Sequence, residues 1–203
     1  MNSGATAERV YDVLKRRIMD HEFRPGERLD PAALADTLAS SVTPVRDALH
    51  VLTGEGLVET RTSDGFHLPH IDEPALKDLY AWNGDVLVYA IRAWPKACGG
   101  MMEDTKTVEP IPVLDAVGDL FARIAGRSAN AEHARAIASL NARLQAARTV
   151  EMHIFNDIRL DFSAIGDAFE IDDRHTLRRL IMLFHRRRQK AAAVIVRALY
   201  RIG

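Results

Sequence analysis

The stretch DPAALADTLASSVTPVRDALHVLTGEGLVETRTSDGFHLP, residues 30–69, decides the fold of the first third of the chain. Asp30 is placed to cap a helix that begins with Pro31, where the missing N–H of proline costs nothing. Two leucines spaced four residues apart then share one face of that helix. The helix is expected to stop near Ala39, because the hydroxyl residues that follow and then Pro44 are typical of a chain that ends one helix and starts another.

The second helix, which we expect to end at Gly54, has one apolar face. Its apolar residues recur at the i, i+3, i+4, i+7 spacing of a buried stripe, namely Val45, Ala48, Leu49 and Leu52. The opposite face then carries the polar residues Thr43, Arg46, Asp47 and His50. We expect these four side chains to project into solvent.

Two short strands, residues 57–61 and 65–69, are predicted after this helix because their side chains alternate between apolar and polar. The sequence Ser-Asp-Gly at residues 63–65 supplies the turn of a tight hairpin.

Two helices, a tight turn and a hairpin form a winged helix-turn-helix, and an earlier helix over residues 7–21, with Thr6 as its cap, completes the domain. A small core is expected from Leu14, Ile18, Leu29, Leu34, Leu38, Val45, Leu49 and Leu52. A polar helix face beside a hairpin tip is what reading of the DNA major groove requires.

Composition sets limits on the remaining possibilities. With 203 residues and 47% hydrophobic side chains, the chain can form a small domain and a larger one. Its single cysteine, Cys98, excludes an internal disulfide and is either an incidental thiol or a reactive one. Residues 1–70 hold 8 Lys and Arg against 11 Asp and Glu, a formal charge of −3, so we expect only modest non-specific affinity for DNA. No apolar run is long enough for a membrane span and residues 1–10 lack the apolar core of a signal peptide, so we expect a cytoplasmic protein with no membrane partner.

Many spaced residues of the first seventy carry a resemblance to a known family. The N-terminal region resembles the winged domain of GntR-family bacterial transcription regulators in Tyr11, Leu14, Ile18, Pro25-Gly26, Leu29, Leu34-Ala35, Leu38, the run TPVRDAL at residues 43–49, Leu52, Gly56-Leu57-Val58 and Gly65. The resemblance implies double-stranded DNA as a partner. One departure is Val42, which stands where the family usually has an arginine, and it implies a weaker phosphate grip or a different base preference.

The face assignment and the resemblance together nominate a set of DNA-binding residues. Arg46 and His50 lie one turn apart, so a guanidinium and an imidazole can enter one groove together. His67, on the hairpin, is either a minor-groove contact or an ordinary exposed strand residue. The complete set of DNA-binding candidates is Ser41, Thr43, Arg46, His50, Gly65 and His67.

The rest of the chain is predicted to be all helical. A polar stretch after His70 marks a boundary, which divides the chain into a winged domain at residues 1–70 and a helical domain at residues 71–203. Helices are expected over residues 75–94, 113–124, 131–147, 149–169 and 173–200, with a long connection over residues 96–112. The fold class is therefore mainly α, a winged helix-turn-helix followed by a helical bundle.

The number of helices, residues 131–141 and the alanine-rich residues 190–199 make the C-terminal region similar to the FCD or FadR-type effector domain of GntR regulators. The resemblance implies a small-molecule effector. Residues 75–94 are apolar on too many sides for the surface of a monomer, so we expect this helix, together with the closing helix, to form part of a homodimer interface. The divalent-metal site of many family members is absent, since Ala129 precedes His133 where an aspartate is usual and residues 197–200 hold no histidine. We therefore expect no metal and no cofactor, and an anionic effector recognised by Arg143, Arg148 and Arg178.

Two further patterns leave alternatives open. His153, Asp157 and Asp161 recur at i, i+4, i+8, which suits either a metal site, with His175 or His185 as a third ligand, or a polar helix edge. The basic run at residues 185–190 suits either an acidic ligand or a solvated helix flank.

Three classes of function remain. They are a ligand-responsive DNA-binding repressor, a helical interaction protein with a vestigial winged domain, and a metal-dependent enzyme. The first is favoured, and the enzyme has the least support, because the sequence has no phosphate-binding glycine loop, zinc-binding helix motif or nucleophile elbow. We therefore expect no enzymatic activity, and a homodimer that binds a palindromic operator.

Overall fold

The computed structural model describes residues 3–20, 22–62, 64–95 and 113–201. The chain divides into two compact units. The N-terminal unit comprises Met1–Ile71 with Tyr200–Gly203, and the C-terminal unit comprises Asp72–Leu199. Cys98 and the expected connection over residues 96–112 lie outside the described residues. Within those described ranges, no helix has the length and apolar character needed to cross a membrane.

The N-terminal unit is a winged helix-turn-helix, as predicted. Its elements are α1 (Ser3–Met19), β1 (Arg28–Leu29), α2 (Pro31–Thr37), α3 (Val42–Gly54), β2 (Glu59–Arg61) and β3 (Gly65–His67). The strands form an antiparallel sheet in the order β1-β3-β2. The structure differs from the prediction in that α1 begins and ends earlier than expected, the two hairpin strands are shorter, and β1 is an additional strand.

Local chemistry explains the start of α2 and the position of α3. The Asp30 side chain accepts hydrogen bonds from the backbone N–H groups of Ala32 and Ala33, at 2.8 and 3.1 Å, which confirms it as the cap of α2. The eight residues expected in the core are all buried, and so is Ala48 on α3. The side chains of α3 on the opposite face are consequently turned toward solvent.

The C-terminal unit contains α4 (Glu73–Arg92), α5 (Val113–Gly126), α6 (Ala131–Ile154), α7 (Ile158–Glu170) and α8 (Arg174–Leu199). Its core draws apolar side chains from all five helices, including Leu87, Phe121, Ile137, Ile165 and Ile181. The all-helical prediction is thus confirmed for the described part of this unit.

The predicted break in the helices near Arg148 is wrong. Helix α6 continues through Arg148 to Ile154, and the chain turns at Phe155, whose backbone is extended with φ −111° and ψ 103°. No glycine or proline interrupts the helix near Arg148, and arginine is a good helix former, so nothing there favours an end. Phe155 is buried under the guanidinium groups of Arg187 and Arg188, and this packing places the true break.

Candidate nucleic-acid interface

The exposed face of α3 is the candidate DNA-reading surface. Thr43, Arg46, Asp47 and His50 are all exposed, as the spacing of the buried residues predicted. Arg46 forms no hydrogen bond or ion pair with the described part of the chain, so its five N–H donors are available to a ligand. The pKa of Asp30 is lowered, chiefly by its hydrogen bonds from Ala33 and Ala32 and less by the charges of Arg28 and Arg46.

The N-terminus of α3 is free of side-chain capping. Ser41 occupies the cap position in an extended conformation, with φ −85° and ψ 163°, but its hydroxyl makes no capping hydrogen bond. The first N–H groups of a helix carry partial positive charge and are a ready site for a phosphate oxygen. Ser41, Val42 and Thr43 are all exposed around this end. An arginine in place of Val42, which is 37% exposed, would also reach solvent there.

The hairpin supports α3 and shapes its flank. The His50 ring packs edge-on against the Phe66 ring of β3, with centroids 4.9 Å apart, so the wing helps to fix the imidazole. Gly65 is exposed, has φ +82°, and has open space where a side chain would be. A backbone of that conformation favours glycine, and it gives the wing a bare surface.

His67 is not the exposed wing residue that the sequence suggested. It is only 3% exposed, and its Nε2 lies 3.0 Å from Oδ2 of Asp64. The unexpected strand β1 contributes to the error, because it pairs with β3 with Arg28 opposite His67 and makes β3 the central strand of the sheet, with both of its edges paired. His67 therefore leaves the set of DNA-contacting candidates.

Arg28 is a candidate that sequence reasoning missed. It lies on β1, is exposed, and stands opposite His67 in the strand register. A two-residue strand is too short to show an alternation of polar and apolar residues. The sequence signal for this strand was only a polar residue followed by an apolar one, Arg28-Leu29, immediately before the Asp30 cap.

The three arginines proposed for effector recognition are not brought together. Arg143 is exposed on α6, Arg178 on α8 is half-buried and donates its Nε to the Arg174 carbonyl at 3.1 Å, and Arg148 is buried. Only Arg148 faces the interior. Its neighbours define a buried polar cluster made of Tyr80, Asn83, Asn141, Arg148, Glu151, His185 and Arg188.

Glu151 is the central acceptor of the buried polar cluster. It is 1% exposed and accepts hydrogen bonds from the Tyr80 hydroxyl and, at 2.6 Å, from Nε of Arg188. Burial and the neighbouring carboxylate raise the pKa of Tyr80 well above its usual value. Arg188 also donates to the Phe184 carbonyl at 3.1 Å, and Arg148 donates to Oδ1 of Asn141 at 2.9 Å.

The metal hypothesis for His153, Asp157 and Asp161 fails on geometry. His153 is exposed on α6, whereas Asp157 precedes α7 and Asp161 lies within it, so the three do not share a helix. Both carboxylates accept hydrogen bonds from Arg187, at 2.5 and 3.1 Å, and that contact lowers the pKa of Asp157. Of the proposed third ligands, His175 is exposed and His185 is buried, and the described residues contain no group of three metal-binding side chains.

The basic run at residues 185–190 is half solvated and half buried. Arg186 and Lys190 are exposed and line a surface groove of about 570 Å³ between α7 and α8, together with apolar residues such as Leu160 and Leu183. His185 and Arg188 instead face the core. The expectation of a solvated flank is correct for the first pair and wrong for the second.

Comparison with known proteins agrees with this architecture. Residues 6–68 match the family described as bacterial regulatory proteins, gntR family. The Nta operon transcriptional regulator of Aminobacter aminovorans is 30% identical in an alignment of 152 residues that covers 66% of this chain and 69% of that protein.

Two solved structures have a similar fold over nearly the whole chain. A transcriptional regulator described as GntR from Rhodococcus sp. RHA1 has a TM-score of 0.71 at 20% identity, over 96% of this chain and 99% of that one. McbR/YncC of E. coli has a TM-score of 0.63 at 16% identity, over 95% and 98%. With its winged unit matching the family and a relative matched over more than two thirds of that relative's length, the chain belongs to the GntR family of bacterial regulatory proteins.

Proposed function

We propose that this GntR-family regulator reads a palindromic DNA operator through α3, and that a small anionic effector bound in the helical unit alters its affinity for that operator. The observation that carries the DNA assignment is the exposed face of α3, on which Arg46 has no partner among the described residues. An arginine that is exposed and has its N–H donors available can make a bidentate contact to guanine O6 and N7 in the major groove.

The neighbouring residues divide into positioning and reading roles. Ser41 and Thr43 lie at the uncapped start of α3, where a phosphate oxygen can accept from hydroxyl and backbone N–H donors. His50 lies one turn beyond Arg46 and is steadied by Phe66, which suits a base-edge contact. Gly65 allows close approach of the wing to the DNA backbone.

The helical unit supplies dimerisation in this proposal. Trp82 and Tyr89 lie two turns apart on α4 and are 53% and 52% exposed. Large aromatic side chains are enriched at the centres of protein interfaces. Packing this face against a second copy of the chain would pair two winged units and double the contacts to a two-fold DNA site. Effector binding would then favour one of two dimer arrangements that differ in DNA affinity.

Selection of genomic DNA fragments by the purified protein, followed by binding measurements on one selected operator, tests the DNA assignment. We expect Arg46→Ala to fold normally by circular dichroism and to weaken specific binding by about 1–3 kcal/mol. Arg135→Ala is the matched control, because it removes an equal charge from an arginine that is 76% exposed on α6. Fluorescence anisotropy would measure both variants. Equal affinities for Arg46→Ala and the parent would show that α3 is not the reading element.

Val42→Arg tests the phosphate contact at the start of α3. The added cation should tighten binding and steepen the dependence of log K on log salt by about one unit if it neutralises one phosphate. An unchanged salt slope would place this end of α3 away from the DNA backbone.

The second candidate function is a helical interaction protein whose winged unit no longer binds DNA. It is favoured by the formal charge of −3 over residues 1–70 and by Val42 at the family's arginine position. Failure of the selection to enrich any DNA sequence, with the protein folded and dimeric, would favour this candidate over the regulator.

A further inference from the structure

Helix α3 brings a single arginine to its exposed face. Its charged residues are Arg46 and Asp47, so the helix itself has no net formal charge. Contacts between basic side chains and phosphates supply much of the affinity of a protein for DNA and hold it in register. The winged unit, with a formal charge of −3 over residues 1–70, therefore needs another cation close to α3 to hold the DNA backbone.

Arg28 on β1 is such a cation. Three of the eight Lys and Arg residues in residues 1–70 are held in ion pairs with acids of the same unit, namely Lys15–Glu55, Arg17–Glu22 and Arg61–Glu59. Arg28 is exposed, and its side chain makes no hydrogen bond or ion pair with the described part of the chain. Its guanidinium group thus presents its N–H donors to solvent.

The backbone of Arg28 is fixed although its side chain is exposed. Strand β1 pairs with the hairpin strand β3, and Arg28 stands opposite His67. Leu29, the next residue, is only 2% exposed and anchors the strand in the core. Asp30 then caps α2. Strand β1 therefore joins Arg28 to the hairpin on one side and to α2 on the other.

The carboxylates near Arg28 in the sheet are bound to other groups. Residues directly opposite one another in antiparallel strands share a face, so Arg28, His67 and Glu59 form one row across the three strands. His67 is paired with Asp64 at 3.0 Å, and Glu59 with Arg61 at 2.7 Å. Arg28 is the member of this row that keeps its charged group in solvent.

Asp30 connects Arg28 to the start of α3. The pKa of the Asp30 carboxyl is lowered chiefly by its hydrogen bonds from the backbone N–H groups of Ala33 and Ala32, and to a smaller extent by the charges of Arg28 and Arg46. Both arginines therefore lie within electrostatic range of one carboxylate. Because Arg46 lies near the start of α3, Arg28 stands beside the end of the helix that enters the groove in the proposed function.

We propose that Arg28 is a DNA-backbone contact, whose guanidinium group binds one phosphate beside the groove that α3 enters and fixes the register of α3 on the duplex. The assignment rests on the proposed reading of DNA by α3. The partner is a phosphate and not a base, because Arg28 lies on the sheet beside the reading helix and not on that helix. Its contribution to binding is therefore independent of DNA sequence, in contrast to that of Arg46.

Fluorescence anisotropy across a salt series, with the full-length protein and two labelled duplexes, tests this contact. One duplex is an operator obtained by selection, and the other has the same base composition in shuffled order. Arg28→Gln removes the charge, whereas Arg28→Lys keeps a charge that can hold a phosphate. Arg16→Gln is the matched control, because Arg16 is exposed on α1 beside Lys15, whose partner Glu55 follows the far end of α3.

We expect Arg28→Gln to weaken binding to both duplexes by the same factor. The slope of log K against log salt should fall in magnitude by about 0.9 for each protomer bound. The affinity ratio of parent to variant should then grow about 3.5-fold per protomer as salt is lowered from about 200 to 50 mM. Arg28→Lys should keep the slope of the parent, and Arg16→Gln should change neither slope nor affinity. Arg46→Ala should instead lose the preference for the operator over the shuffled duplex.

Three results would overturn the phosphate contact. They are the parent's slope retained in Arg28→Gln on both duplexes, an equal fall of the slope in Arg16→Gln, which is an effect of net charge alone, and a loss of affinity for the operator only, which is base reading. If circular dichroism shows that Arg28→Gln does not fold, Arg28→Thr replaces it, because threonine suits a strand.

Failure of the proposed function gives a different result. The parent protein would then bind both duplexes equally, or Arg46→Ala would bind the operator like the parent. If the operator preference depends on Arg46 but Arg28→Gln behaves like the parent, reading by α3 stands and the Arg28 contact fails.

Discussion

Glu151→Gln should destabilise the C-terminal unit far more than any exposed acid would. The substitution keeps the size of the side chain, so it creates no cavity, and it removes the one fully buried negative charge among the described residues. Tyr80 keeps an acceptor, but Arg188 loses the carboxylate that lies 2.6 Å from its Nε. Breaking a buried ion pair in this way costs about 3–5 kcal/mol.

Urea unfolding at pH 7, followed by tryptophan fluorescence, measures this cost in the unit that contains Glu151. Glu132→Gln is the matched control, since Glu132 is 67% exposed on the same helix and pairs with an exposed arginine. Its loss should be at most about 1 kcal/mol. The double variant Glu151→Gln with Arg188→Met should recover part of the lost stability, because it removes the stranded cation as well.

Equal small effects of Glu151→Gln and Glu132→Gln would contradict this prediction. That result would mean that Glu151 is not a countercharge for the buried arginines. A double variant less stable than Glu151→Gln alone would refute the claim that the stranded cation is the source of the loss.

Three other outcomes are expected. Burial lowers the pKa of His185 to about 3 in the folded state, whereas the unfolded chain takes up this proton near pH 6.5. The free energy of unfolding should therefore fall as the pH drops below 6.5, by up to about 1.4 kcal/mol per pH unit. This part of the pH dependence should be absent in His185→Gln. If α4 forms the proposed dimer interface, Trp82→Asp should give a monomer in light scattering at micromolar concentration, whereas Lys77→Ala, an exposed change on the same helix, should leave the parent's oligomeric state unchanged. Gly65→Ala should destabilise the winged unit by about 1–2 kcal/mol in chemical unfolding followed by circular dichroism, because φ is +82° there, while Gly54→Ala, in a helix with open space around it, should not.

The winged unit could be predicted because its local signals agree with one another. The Asp30-Pro31 start, the stripe from Val45 to Leu52 and the glycine of the hairpin each specify one conformation without help from distant residues. The exposure of Arg46 followed directly from that stripe. Strand β1 had no such signal, since its two residues are held by pairing with β3, and missing it also led to the wrong environment for His67.

The helical unit was harder because tertiary packing decides its details. The end of α6 depends on the burial of Phe155 beneath two arginines from α8. No local sequence pattern indicates this packing. The spacing of the apolar residues on α8, however, does indicate one feature of the core. Arg188 falls on the same stripe as Ile181, Phe184 and Ala192, so a charged residue occupies a core position. Because Arg188 also belongs to the basic run at residues 185–190, its position on the apolar stripe was not recognised.

The buried ion pair of Arg188 and Glu151 is difficult to explain as a device for stability alone. Replacing a buried ionic group by an apolar one of similar size is often neutral or stabilising. The pair does fix one arrangement of the helices, because the Glu151 carboxylate of α6 accepts hydrogen bonds from Arg188 on α8 and from the Tyr80 hydroxyl on α4. Loss of that carboxylate therefore releases contacts between three helices at once.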